Sequence, residues 1–97
     1  MIALALALAA AKPPPIVVGP GDATCAVAMS TQFRERSFDY ILGVWTGMNI
    51  AANKPVGHST DAHGILREVV AACVSYPTLP LSDAVLAIHL RFEKQDR

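Results

Sequence analysis

The sequence predicts a small all-α protein, an irregular bundle of four short helices held by one disulfide, placed after a signal peptide and a Pro/Gly-rich arm. Three observations predict it. From residue 23 onward apolar residues recur at three-and-four spacing between compact turn signals. Alternating strand patterns of useful length are absent. The two cysteines of the chain, Cys25 and Cys73, fall on the inner faces of different predicted helices. At 97 residues there is room for one domain, and at that size a covalent staple matters because a small core is marginal.

The chain divides into three parts: a signal peptide over 1–11, a flexible arm over 12–22 and a helical domain over 23–97. The apolar run from Ile2 to Ala11 has about half the length needed to cross a bilayer core, and Lys12-Pro13-Pro14-Pro15 stops any helix at its end. The run suits the apolar region of a secretory leader, and Ala9-Ala10-Ala11 supplies small residues for cleavage after Ala11. Nothing basic precedes the run, so the true start of the leader is left open. Asp22-Ala23-Thr24 before Cys25 is not the context of a lipid-anchoring site. Pro13, Pro14, Pro15, Gly19, Pro20 and Gly21 then favour extended, solvated chain.

Thr24 can cap a first helix from Cys25 to about Phe33, with Cys25, Met29 and Phe33 on one face. A second helix is expected from Ser37 to about Ala52, its stripe formed by Phe38, Leu42, Trp45, Met48 or Asn49, and Ala52. Asn53-Lys54-Pro55-Val56-Gly57 closes it. Ser59 or Thr60 can cap a third helix, with Asp61 in its first turn and Ile65, Val69 and Cys73 sharing a face. Tyr76-Pro77-Thr78-Leu79-Pro80 breaks the chain. Ser82 begins a fourth helix whose stripe is Val85, Ile88 and Phe92, with Leu81 and Leu86 placed as a hydrophobic staple.

Eight basic residues balance eight acidic ones without a polybasic cluster, which disfavours nucleic acid and anionic membranes. No stable membrane insertion is expected. In an oxidising compartment two cysteines form one bridge, and closing a loop of this length stabilises the fold by roughly 4 kcal/mol. A redox role is disfavoured, because the spacing is far from Cys-x-x-Cys and no His or Lys adjoins either cysteine.

Other polar residues read as structural. His58, Asp61 and His63 lack the spacing of a zinc motif and a fourth ligand, so no metal or cofactor is assigned. Ser59 and Ser82 sit at helix starts, where serine is expected as a cap and not in a nucleophile-elbow pattern, so no catalytic residue is assigned. Gly43 and Gly47 lie one turn apart, and close approach by another helix is the expected compensation for their poor helix propensity. Together with Tyr40, Trp45 and Asn49 they form the candidate interaction or structural motif. Trp45 alone reads as core and Asn49 as a cap or turn former.

The stretch Asp39-Tyr40-Ile41-Leu42-Gly43-Val44-Trp45-Thr46-Gly47-Met48-Asn49, then Asp61-Ala62-His63-Gly64-Ile65, Cys73 and Pro77 to Val85, resembles small exported bacterial proteins of the HdeA/HdeB-like group. The resemblance covers the chain from Thr24 onward, and the Cys25–Cys73 separation is similar to that group's single disulfide. It implies a periplasmic helical fold and, in the best-known members, an acid-activated chaperone for unfolded clients that works when a dimer loosens. This mature chain is more sparsely charged than those chaperones, so acid has fewer groups to act on. A second resemblance is to periplasmic immunity proteins of type VI secretion, also small, helical and disulfide-bonded.

The leading expectation is therefore a non-enzymatic periplasmic or secreted protein of the HdeA-like kind, protective under stress or acid. The alternative is an immunity protein that binds and neutralises a secreted toxin. Both act on a protein partner, and homodimerisation is left open.

Overall fold

The computed structural model describes residue 13 and residues 15–97. The expected leader and its cleavage after Ala11 lie outside the described residues. A 3-10 turn at Gly19–Asp22 precedes four helices: α1 (Cys25–Ala28), α2 (Arg34–Ala52), α3 (Ala62–Ser75) and α4 (Leu81–Lys94). The architecture is thus all-α, as the apolar spacing requires. Among the described residues there is no strand, only an isolated antiparallel bridge between Thr24 and Pro80. No helix among them is long and apolar enough to cross a membrane.

The solvated arm expected over 12–22 gives way at Gly19. Gly21 is buried beneath the Tyr40 ring, where a β-carbon would collide with the phenol, so only glycine lets the turn lie this close to α2. Burial pushes the Tyr40 phenol above its ordinary value.

Thr24 caps α1 as expected, its hydroxyl accepting from the Val27 N–H at 3.3 Å. The helix then stops at Ala28 and does not reach Phe33. The Ser30 hydroxyl donates to the Val27 carbonyl at 2.7 Å, a local bond that competes with helix continuation. Phe33 is consequently exposed. The strong helix formers Arg34, Glu35 and Arg36 start α2 three residues before Ser37, and Ser37 is fully buried, not a cap.

The inner ridge of α2 is Ser37, Ile41 and Trp45, with Phe38 and Leu42 only partly buried; the expected stripe is displaced because the 3-10 turn also covers the helix on its Tyr40 side. At the far end Asn53 adopts a left-handed conformation at φ 52°. The Asn53 N–H donates to Ile50 O at 3.2 Å and the Lys54 N–H to Asn49 O at 3.1 Å, a Schellman closure before Pro55.

Asp61, and not Ser59 or Thr60, caps α3: its Oδ1 accepts from the Gly64 N–H at 2.9 Å. Thr60 instead packs over Gly64. Pro80 occupies the cap position of α4, so Ser82 lies inside the helix and is buried. Leu81 is fully buried but Leu86 is 47% exposed, and the expected staple between them does not form a covered pair. Asp83 in the first turn and Arg91 and Lys94 in the last complement the helix dipole.

The core joins Ile41 and Trp45 to Ile65, Val69 and Cys73 of α3 and to Leu81, Val85, Ile88 and Phe92 of α4. Burying each such side chain stabilises the fold by roughly 1.5–3 kcal/mol. Cys25 and Cys73 are bonded, with Cα atoms 5.0 Å apart and a sequence separation of 48. Beside the bridge, Cys25 N–H donates to Leu79 O at 2.7 Å, Ala26 N–H to Pro77 O at 2.9 Å and Leu81 N–H to Ala23 O at 2.9 Å. The start of α1 and the α3–α4 connection are therefore stitched by backbone as well as by sulfur. The disulfide fits an oxidising compartment.

Candidate functional site

The candidate motif Tyr40, Gly43, Trp45, Gly47 and Asn49 lies on one helix but does not gather at one place. At 100° per residue, Trp45 and Asn49 turn inward while Gly43 and Gly47 turn outward. Tyr40 stands between these sides, partly buried against Gly21.

The inward pair forms a latch. The Trp45 indole N–H donates to Val56 O at 2.8 Å, and the same carbonyl accepts from Asn49 Nδ2 at 2.9 Å. With the Asn49 amide so oriented, its Oδ1 accepts from His89 Nε2 on α4 at 2.9 Å. The His89 ring meets Trp45 edge-on at a centroid distance of 4.8 Å, and Phe92 meets it at 5.4 Å. Gly57 follows with φ 98°, a left-handed position where a β-carbon would come within 3.1 Å of the indole nitrogen. The loop after α2 is thereby held by its own carbonyl.

His89 is buried, and desolvation holds its pKa below the ordinary imidazole value, with the Glu93 carboxylate acting in the opposite direction. Glu93 is itself paired to Lys54 at 3.7 Å across the end of α2. A neutral imidazole bonded to an amide positions structure; its Nε2 is not free to activate a hydroxyl.

The outward side of α2 differs in kind. Gly43 and Gly47 are exposed, and β-carbons at either would meet nothing within 4 Å. The expected close approach by another helix is not made by any helix among the described residues. Beside them Ile50 is 75% exposed. A groove of about 550 Å³ follows between α2 and α4, lined by Met48, Ala51, Ala52, Leu86, His89, Leu90 and Glu93. Its apolar walls and single buried imidazole suit recognition of an apolar surface.

No family model, curated protein or solved structure matches the chain. The remaining residues weighed from sequence have structural partners or none. His58 Nε2 lies 3.0 Å from Asp96 O, Asp61 caps α3, and His63 is exposed on the first turn of that helix. Sequence reading gives none of His89, Leu86 and Leu90 a place in the site: His89 figures only as a base for a serine and is set aside, and Leu86 as half of a staple. For His89 a signal existed: it adjoins Ile88 and follows Val85 by four positions, on the edge of the predicted buried stripe. For Leu86 and Leu90 the exposed face follows from where α2 ends up relative to α4.

Proposed function

We propose that the protein is a non-enzymatic binding module of the periplasm or extracellular space, acting through a fixed surface on one protein partner. Its most specific form is an immunity protein that neutralises a secreted toxin. One observation carries this reading: on a folded, disulfide-clamped framework the apolar side chains Leu86 and Leu90 already stand open along the groove between α2 and α4, and Ile50 stands open on the outer side of α2. No unfolding step is needed to present them, and exposed apolar surface of this kind is characteristic of a contact site.

The acid-protective chaperone suggested by the HdeA-like resemblance is the second reading, and the buried neutral His89 favours it, since protonation would weaken the Trp45–Asn49 latch. The two separate in one pair of measurements. A binding module forms a stoichiometric complex with one toxin at neutral pH, read by sedimentation or titration calorimetry, and leaves aggregation of unrelated clients unchanged at every pH. Suppression of client aggregation only below about pH 5, with no single stoichiometric partner, would replace it by the chaperone reading.

A further inference from the structure

We infer that residues 23–33 form a redox-latched flap: the Cys25–Cys73 bridge holds it shut against α3 and α4, and a dithiol reductant lets it lift while the α2–α4 core stays folded. In the shut state α1 stands between two clefts, and lifting it joins them into one apolar trough.

Little besides the sulfurs fastens this segment. A helix of four residues is far below the length that is stable in isolation, and α1 buries only Cys25 and Ala28. Thr24, Ala26, Val27 and Phe33 are exposed. The other buried apolar side chains come from α2, α3, α4 and the loop at Val56, so lifting the segment leaves their packing in place. Three backbone bonds remain, at Cys25, Ala26 and Leu81, and water replaces such bonds at small net cost. Both flanks are anchored independently: Gly21 lies beneath Tyr40, and Ser37 is buried on α2. The segment is thus a short loop between two fixed points, with the bridge as its clasp.

The independent observation is a hydroxyl that the shut state leaves dry. Ser37 is fully buried, and its Oγ has no hydrogen-bond partner among the described residues. Ser37 lies beside the flap, sharing a cleft of about 250 Å³ with Ala23, Val27, Ala28 and Phe33. A sealed, unpaired hydroxyl is a standing cost of the shut state, and water satisfies it once α1 moves away. The fold therefore carries a bias toward opening, which the bridge opposes.

On the other flank of α1 a cleft of about 420 Å³ is lined by Cys25, Met29, Phe38, Val70, Cys73 and Val74. Lifting α1 removes the partition between this cleft and the one at Ser37. In the chemical step a dithiol passes two electrons and two protons to the bridge: the Cys25–Cys73 S–S bond breaks, both sulfurs become thiols, and the dithiol closes into its own cyclic disulfide. A disulfide oxidant reverses the exchange and shuts the flap. The bridge acts here as a clasp and not as a redox catalyst, in keeping with its distance from a Cys-x-x-Cys pattern.

The test uses the full chain with dithiothreitol as the dithiol. In the reduced protein, amide NMR signals of residues 24–33 should move to random-coil positions, while those of Ile41, Val69 and Val85 and the fluorescence of Trp45 stay native. The equilibrium of the bridge against dithiothreitol supplies a second readout. Ser37→Ala should favour the bridged form by about fivefold, because it removes a cost present only when the flap is shut. Native positions for residues 24–33 in the reduced chain overturn the inference, since the flap then shuts without its clasp. Loss of the Trp45 and core signals along with them overturns it too, because the bridge would then hold the whole fold. So does an unchanged equilibrium in a Ser37→Ala protein with native Trp45 fluorescence; should that variant not fold, the spectra of the reduced wild-type chain decide alone.

Discussion

The two ends of the bundle are closed in different ways. At one end Cys25 and Cys73 join α1 to α3, and backbone bonds at Cys25, Ala26 and Leu81 run beside the sulfur bridge. At the other there is no covalent link: Trp45 and Asn49 hold one carbonyl of the loop after α2 with His89 behind them, and Lys54, His58 and Ser59 tie the loop to the end of α4 and the residues after it. The covalent end answers to redox conditions and is indifferent to acid. The hydrogen-bonded end is indifferent to reductant and answers to acid. A change of solvent therefore loosens one end at a time.

The largest expected effect comes from cutting the covalent end. Replacing Cys25 and Cys73 by Ala together, or reducing the bridge, should cost about 4 kcal/mol by loss of loop closure, a large share of the stability a domain this size holds. Urea unfolding followed by far-UV circular dichroism would show it; a midpoint shift equivalent to less than about 1 kcal/mol would mean that the backbone stitching suffices.

Next comes the other end. Asn49→Leu removes both the second donor to Val56 O and the acceptor for His89, leaving a buried N–H unmet, and should cost about 2–3 kcal/mol. Trp45 fluorescence should report the loosening before far-UV circular dichroism does. A coincident loss of both signals would show that the latch and the bundle are one cooperative unit.

Acid should act on that end through His89. Because burial lowers the pKa of folded His89 from the ordinary imidazole value of 6.5, the unfolded chain takes up the proton first as pH falls. This contribution to stability is whole above about pH 6.5 and declines as pH drops through the folded value, with a slope of at most about 1.4 kcal/mol per pH unit. His89→Gln should flatten that slope between pH 7.5 and 5, measured by urea midpoints. An unchanged slope would assign the acid response to other groups.

How much of this was legible beforehand varies by element. Ile65, Val69 and Cys73, and likewise Val85, Ile88 and Phe92, show the spacing of a single buried stripe, and each lies where that spacing puts it. The start of α2 was not legible, because Ser37 has the chemistry of a cap, and only packing shows that it is sealed inside. Gly19–Asp22 has the composition of free chain, and its placement depends on Tyr40, about twenty positions later. The latch was hidden for a similar reason: Asn49 and His89 are 40 positions apart, and nothing local marks them as a pair. The open glycine row shows the opposite limit, since Gly43 and Gly47 signal a close helix contact that no helix among the described residues makes.

The smallest effects separate inside from outside along α2. Gly47→Ala should stabilise the protein by about 1 kcal/mol, the propensity difference, because the new methyl group meets nothing. Ser37→Ala should stabilise by a similar amount, since it removes a buried hydroxyl without a partner. Thermal midpoints suffice to check both, and a fall in either would show that the position has a contact the fold does not reveal.

With just two sulfhydryls in the chain, oxidation has one intramolecular product. Mispairing within a molecule cannot occur, so no shuffling catalyst is required to correct it. Closing the bridge is then a matter of how fast an oxidant arrives, and the Thr24–Pro80 pairing lies beside it in the folded chain.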